Sequence, residues 1–293
     1  MGISAGTSTV SMPNRKRPYP TLLAFLVGRF PKITEMTWLE RITSGKVLSE
    51  DGTPVSLTTA YTPNQRLFYF REVAEEPVIP FQEQILYSSE HLLVACKPHF
   101  LPVIPGGPYV GETLLNRLKE STGNLFLSPI NRIDRGTAGL VLISANKETR
   151  GLYQQLFMDG MVQKTYQAVV VFPGDTSETE WLVENRIEQG KPWFRMQTRQ
   201  GKVNARSKIF LLKTKGSRAL LQLSPVTGKK HQLRIHLSGL GLPIVNDRYY
   251  PTLLAKTIDD YELPLQLLSK KIEFRDPISG VEMSFESKRD LIL

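Results

Sequence analysis

The sequence predicts an α+β protein in which strands dominate, with a small helix-and-hairpin module ahead of a larger domain. Three observations carry this. Residues 21 to 75 read as two helices followed by extended runs around a turn. Residues 80 to 293 alternate short apolar runs with turn signals and show few helical stripes. Between them, Val73 to Pro80 holds paired acids and two prolines, the composition of a linker, which puts a boundary near residue 78. The 293 residues, 41% hydrophobic and 22% charged, suffice for a large and a small core and exclude disorder, collagen or coiled coil as the main character.

The elements follow in order. Residues 1 to 20, rich in Ser, Thr, Gly and Pro and without an apolar secretory core, read as a flexible tail. Met1-Gly2 opens no myristoylation signal, because Gly6 stands where Ser or Thr is needed. Leu22, Leu23, Phe25, Leu26 and Phe30 form one helical stripe; Thr34 caps a second helix, which Gly45 closes. Asp51-Gly52 marks a hairpin, and Gln65 to Phe70 a further strand. In the larger part, Ile85 to Tyr87 and Leu92 to Ala95 are strands around a turn, and Thr113 to Leu118 is helical. Leu140 to Ile143, apolar on both faces, suits a central strand. Asn146 is placed to cap a helix with Leu152, Leu156 and Phe157 facing inward, ended by Asp159-Gly160. Lys164 to Val171, Ser207 to Leu212 and Ala219 to Leu223 read as strands. No internal repeat is present.

Composition narrows the chemistry. A single cysteine, Cys96, closes no internal disulfide, and four scattered histidines show no zinc spacing, so a reducing compartment (the cytoplasm) and a metal-free site are expected. No apolar run reaches the roughly 18 residues of a membrane span, which predicts a soluble protein. Lys and Arg number 37 against 28 Asp and Glu, a formal charge of +9. Twelve basic residues and no acid lie between Lys191 and Arg234, leaving −3 for the rest. Such a stretch is either a solvated face or a contact for a nucleic-acid backbone.

Two polar segments are candidates for a site. Asn131 to Gly139 is a glycine-bearing loop directly before the buried strand, and it sets Asp134 between Arg132 and Arg135. A guanidinium beside Asp134 would lower its pKa, with a gross attraction of about 4 kcal/mol at ~4 Å and an effective dielectric of about 20. The same residues also fit a turn with a structural ion pair. Gly228 to Leu237 fits a strand or a helix by periodicity, and either leaves Arg234 off the Leu233/Leu237 stripe. His231 and His236, with no acid near in sequence, read as hydrogen-bonded structural groups and not as metal ligands.

Five segments, in order, resemble the RluA family of RNA pseudouridine synthases. Asn131-Arg132-Ile133-Asp134-Arg135-Gly136-Thr137-Ala138-Gly139 is similar to its His-Arg-Leu-Asp-x-x-Thr-Ser-Gly segment. Leu92 to Val103 is similar to its strand and Lys-Pro turn, and Lys164-Thr165-Tyr166-Gln167-Ala168 to its Lys-x-Tyr-x-Ala strand. Gly228 to Leu237 is similar to the start of its Gly-Arg-Thr-His-Gln-Ile-Arg-Val-His-Leu helix, and Gly241 to Asp247 to its Gly-His-Pro-Ile-x-Gly-Asp turn. Asn131, Ala138, Lys230 and Leu242 depart from the family pattern. Residues 21 to 75 more weakly resemble the α-L type RNA-binding module fused to some of these enzymes, with fewer basic residues than is usual there.

The resemblance implies a pseudouridine synthase-like α+β catalytic domain on a largely antiparallel central sheet, isomerising uridine in structured rRNA or tRNA without a cofactor. It implies that Asp134 is the catalytic aspartate, that Arg234 pairs with it and that Tyr166 stacks on the uracil. It places Arg132 in the RNA stack after the uridine is flipped out, a step costing a few kcal/mol. Arg135, Lys164, Lys229, Lys230 and His231 join it as expected RNA contacts. RNA is the expected partner, with no membrane and no metal, and a monomer is favoured. Two rivals remain: an inactive RNA-binding or ribosome-assembly factor, and a carboxylate hydrolase, which requires a second acid that no motif supplies.

Overall fold

A computed structural model describes residues 2–14, 18–73, 75–174 and 178–293. The chain divides into two compact units, Met1–Pro77 with Pro105–Gly111, and Val78–Ile104 with Glu112–Leu293. In the first, Thr21 accepts from the amide of Ala24 to start α1 (Leu22–Arg29), and Thr34 accepts from Thr37 to start α2 (Glu35–Thr43). Leu22, Phe25, Leu26, Trp38 and Ile42 turn inward from these helices onto a sheet whose order is β1 (Gly2–Ser11), β3 (Arg66–Val73), β2 (Val47–Leu48). The Asp51-Gly52 turn follows β2, with Gly52 at φ +85°.

Gly2–Ser11 is therefore a strand where a flexible tail was expected; Met1 and Arg15 to Arg17 of that stretch lie outside the described residues. Its backbone pairs antiparallel with β3, and Val10 and Met12 are buried in the module core. Ser, Thr and Gly side chains give little apolar alternation, so the pairing is carried by main-chain groups that composition does not display. Pro105–Gly111 joins the same unit far along the chain, where the amides of Val110 and Gly111 donate to the Glu76 carboxylate.

The second unit is built on one sheet of the described residues. Its strands are β4 (Gln84–Ser88), β5 (Leu92–Lys97), β6 (Ser128–Pro129), β7 (Ala138–Ser144), β8 (Gln163–Val171), β9 (Glu180–Gln189), β10 (Met196–Arg199), β11 (Ala205–Lys215), β12 (Arg218–Pro225), β13 (Leu267–Arg275) and β14 (Glu282–Glu286). The order is β10-β9-β11-β12-β8-β13-β7-β5-β4, with β14 on β13 and β6 on β7. Every pairing is antiparallel except β13 with β7. Helices α3 (Leu114–Thr122), α4 (Arg150–Met158) and α5 (Gln232–Gly239) complete the unit. Leu233 and Leu237 of α5 pack on Ala168, Val170, Leu221 and Leu223 of the sheet. On another part, Tyr153 of α4 packs with Leu92, Val94, Leu140 and Leu142.

The parallel step demands a glycine. Gly139 has φ +105°, and a Cβ there would lie 2.2 Å from the Ser269 carbonyl oxygen of β13. Only a residue without that atom lets β13 pair beside β7 at the point where the Asp134 loop enters the sheet.

Of the residues expected to face inward from α4, Leu156 and Phe157 pack against the cluster, while Leu152 is 49% exposed and Tyr153 is the buried residue in its place. Asn146 accepts from the Glu148 amide in a preceding turn, and Thr149 occupies the cap position. A turn-forming asparagine and a helix-capping one satisfy the same backbone need, so their sequence signatures coincide.

Candidate active site

Asp134 lies in the loop between β6 and β7, where the Thr137 amide donates to its carbonyl. The loop is fastened from below by Lys97, the last residue of β5, which is completely buried. Its ammonium donates to the carbonyls of Pro98 (2.9 Å), Leu101 (2.7 Å) and Arg135 (3.1 Å). Burial pulls the Lys97 pKa well below that of a free lysine. Asn131 stabilises the start of the loop by accepting from the Leu142 amide at 2.8 Å.

The guanidinium beside Asp134 comes from α5. Arg234 Nη1 donates to Asp134 Oδ2 at 3.1 Å, while Nε and Nη2 of the same group donate to Asp247 Oδ2 and Oδ1 at 2.8 and 2.6 Å. Tyr249 and Tyr250 lie against the guanidinium at 4.8 and 5.4 Å from their ring centroids. Asp247 Oδ1 also accepts from the amides of Tyr249 and Tyr250. The Arg234 side chain is 7% exposed and that of Asp247 1%, whereas that of Asp134 is 27% exposed. One carboxylate is thus a buried counter-ion and the other faces outward.

His231 completes the group. It sits at φ +56°, an unfavourable left-handed conformation for a non-glycine residue, at the start of α5. Its Nδ1 is 2.9 Å from the Tyr250 hydroxyl and its Nε2 3.7 Å from Asp134 Oδ2. Burial takes its pKa down to about 4, so it is neutral at pH 7. Burial by itself would raise the Asp134 carboxyl, but the charges of His231, Arg234 and Lys230 and the Arg234 hydrogen bond outweigh it, and its pKa lies below the ordinary value. The His231 charge acts only in the acid range where the ring is protonated; at pH 7 the ring is neutral and the charges that favour ionised Asp134 are those of Arg234 and Lys230.

These groups open into a cleft of about 940 Å3 lined by Arg132, Asp134, Lys164, Tyr166, Lys229 and Lys230 among others. Tyr166 on β8 faces Ser269 of β13, and burial pushes its hydroxyl up to about 12, which keeps it protonated. Lys164 is half-buried and its pKa is lowered by desolvation. Arg132, Lys229 and Lys230 are exposed. The Lys229-Lys230 turn is held by Gln232: its Oε1 accepts from Thr227 and the Lys229 amide, and its Nε2 donates to Ser207 and the Arg206 carbonyl.

Arg135 pairs with Asp259, at 2.6 and 2.8 Å through two nitrogens, so its guanidinium already holds a carboxylate within the protein. Neither sequence neighbour of Asp134 supplies its ion pair, because a chain turn sends adjacent side chains to different sides. The basic stretch is also not one surface: of its twelve cations only Lys229, Lys230 and Arg234 line the cleft. Arg206 pairs with Glu184, and Lys213, Lys215 and Arg218 lie exposed around the β11–β12 turn. His231 contributes a neutral, buried ring and no positive charge.

Asp247 was within a recognised turn, yet its role as second acid to Arg234 had no signature. Its burial behind the guanidinium removes it as the acid partner a hydrolase requires. Among the described residues, no group of three His, Cys, Asp or Glu is placed to hold a metal, and no helix is long and apolar enough to cross a membrane.

A family model described as RNA pseudouridylate synthase matches residues 91–239. An uncharacterized RNA pseudouridine synthase of Synechocystis is 32% identical over 78% of this chain and 79% of its own. The dual-specificity RNA pseudouridine synthase RluA of Haemophilus influenzae is 30% identical over 73% of this chain and 96% of its own. The structure of human RNA Pseudouridylate Synthase Domain Containing 4 superposes with a TM-score of 0.55 at 25% identity, covering 70% of this chain and 87% of that one.

Proposed function

Since the chain belongs to the RNA pseudouridylate synthase family, we propose that the Asp134 cleft is where it isomerises uridine in RNA. The enzyme is an isomerase acting on RNA. The observation that carries the assignment is a single outward carboxylate, kept ionised by an arginine that a second, buried carboxylate fixes in place. The reaction exchanges one bond for another: N1–C1′ of uridine breaks, C5–C1′ forms, and the proton lost from C5 is balanced by one gained at N1. No oxidant, reductant or leaving group is needed, and an oriented carboxylate beside the sugar–base bond is the group the exchange calls for.

The remaining roles follow from position. Tyr166, neutral and set in the cleft wall, stacks on the flipped uracil, an interaction worth about 1–3 kcal/mol. Arg132, exposed at the mouth, takes the space the base vacates, while Lys164, Lys229 and Lys230 meet the backbone. Arg135 and His231 act as positioning residues. The N-terminal module, with its two capped helices and hairpin, adds RNA contacts. The substrate is a structured rRNA or tRNA of the cytoplasm.

Mapping pseudouridine across the RNA of cells lacking the gene tests this reading. One or a few sites in rRNA or tRNA are expected to vanish, to return with the wild-type chain and to stay absent with Asp134→Asn. Restoration by Asp134→Asn would overturn the assignment of the cleft.

A further inference from the structure

The loop joining β9 to β10 carries an aromatic side chain that the reaction does not use. Trp193 is 72% exposed, although an indole gains more from burial than almost any other side chain. Its backbone is fixed. Gln189 Nε2 donates to the Trp193 carbonyl at 2.9 Å, the Gly190 amide donates to the Arg195 carbonyl at 2.9 Å, and Arg195 donates from Nη2 to the Pro251 carbonyl at 3.0 Å. The ring is thus displayed from a tied turn.

Its surroundings point to a ligand. The ammonium of Lys230, which lines the cleft, lies 5.7 Å from the indole centroid. Phe194 packs edge-on to Trp193 with centroids 6.0 Å apart, and 5.4 Å from Tyr249, the ring against the Arg234 guanidinium. A continuous file of rings therefore runs from the surface to the arginine that holds Asp134. Lys191, Arg199, Lys202 and Lys229 are exposed along this part of the chain, and no acid occurs from Lys191 to Arg234. An exposed flat ring with a lysine ammonium beside it complements a planar base on a negatively charged backbone, and not an apolar protein face.

We propose that Trp193 is a stacking platform for an unpaired RNA base a few nucleotides from the uridine in the cleft, with Lys230 as the cation shared by platform and site. The inference rests on the reading of the Asp134 cleft as the RNA site, but the stacking itself does not require turnover. The platform holds one flanking base whatever its identity, and so contributes affinity and placement of the strand over the cleft.

The test uses the full chain and two polymers of equal length, an oligouridine RNA and an abasic ribose-phosphate chain. Trp38 is buried and Trp181 partly buried, so Trp193 is the tryptophan most open to a ligand. Oligouridine is expected to quench the emission and the abasic chain to leave it nearly unchanged, with the difference gone in Trp193→Phe. Trp193→Ala is expected to weaken oligouridine binding roughly five-fold or more and binding of the abasic chain hardly at all, with Trp193→Phe keeping most of the affinity. Equal quenching by both polymers, or oligouridine binding by Trp193→Ala as tight as wild type, overturns the proposal. Failure of the platform alone leaves Asp134→Asn inactive, whereas failure of the cleft reading leaves Asp134→Asn active whatever the emission does.

Discussion

The floor and the rim of the cleft use positive charge in opposite ways. On the floor, the Arg234 guanidinium is buried, shared by two carboxylates and enclosed by two tyrosines. On the rim, Arg132, Lys229 and Lys230 stand in solvent. A buried cation paired on two sides is little screened by salt and holds one geometry; an exposed one is screened beyond about 10 Å at 0.1 M salt and adapts to its ligand. The difference separates two functions within one cleft. The floor aims a carboxylate, and the rim gathers a polyanion.

The largest predicted effect on the floor is from removing the buried acid. Asp247→Ala leaves Arg234 without its bidentate partner, and the loss of unfolding free energy is expected at about 3–5 kcal/mol, read by chemical denaturation. A loss below about 1 kcal/mol would mean that Asp134 and the two tyrosines suffice to hold the guanidinium. Next comes acid. His231 and His236 have pKa values lowered by burial to about 4, so as pH falls below 6.5 the unfolded chain takes up protons that the folded one refuses. Stability from these two groups is complete above pH 6.5 and is lost as pH approaches 4; at pH 5 the loss is about 1–2 kcal/mol apiece. The melting temperature should fall between pH 7 and pH 5, less steeply in His236→Gln. Because Asp134 is held below the ordinary carboxylate range, its own protonation should produce no activity loss in that window.

The rim effects are smaller. Lys229→Ala and Lys230→Ala should each weaken RNA binding modestly at low salt and reduce the slope of log affinity against log salt by about 0.7 for single-stranded RNA. Turnover at saturating RNA should change little. A loss of turnover from either substitution would bring the rim into the chemistry and erase the contrast with Arg234.

The contrast explains which parts were legible in the sequence. Asp134, Tyr166 and Arg234 stand in compact motifs whose order along the chain resembles one family, and the structure brings all three to one cleft. Thr34 and the apolar run Leu140 to Ile143 had local causes, and they form a cap and a central strand as local chemistry dictates. Pairings across the fold had none. Arg135 has its charge partner 124 residues away at Asp259, and Arg234 is joined to Asp134 across 100. Proximity along the chain offered Asp134 only Arg132 and Arg135; the family resemblance alone pointed to Arg234, which fills the role. The basic stretch misled for a related reason, since a strand alternates its faces and a hairpin spreads consecutive charges along the sheet. Of the departures from the family pattern, Asn131 and Leu242 have visible uses, one as the acceptor for Leu142 and the other in the core beside α5.

The central claim is that one ionised carboxylate performs the exchange while the surrounding cations bind and aim. Purified Asp134→Asn and wild-type chains, each given RNA extracted from cells lacking the gene, test it when pseudouridine formed and RNA affinity are measured on the same preparations. The account predicts no pseudouridine from Asp134→Asn, with affinity within a few fold of wild type. Product from that variant, or an affinity loss large enough to explain missing product, would contradict it.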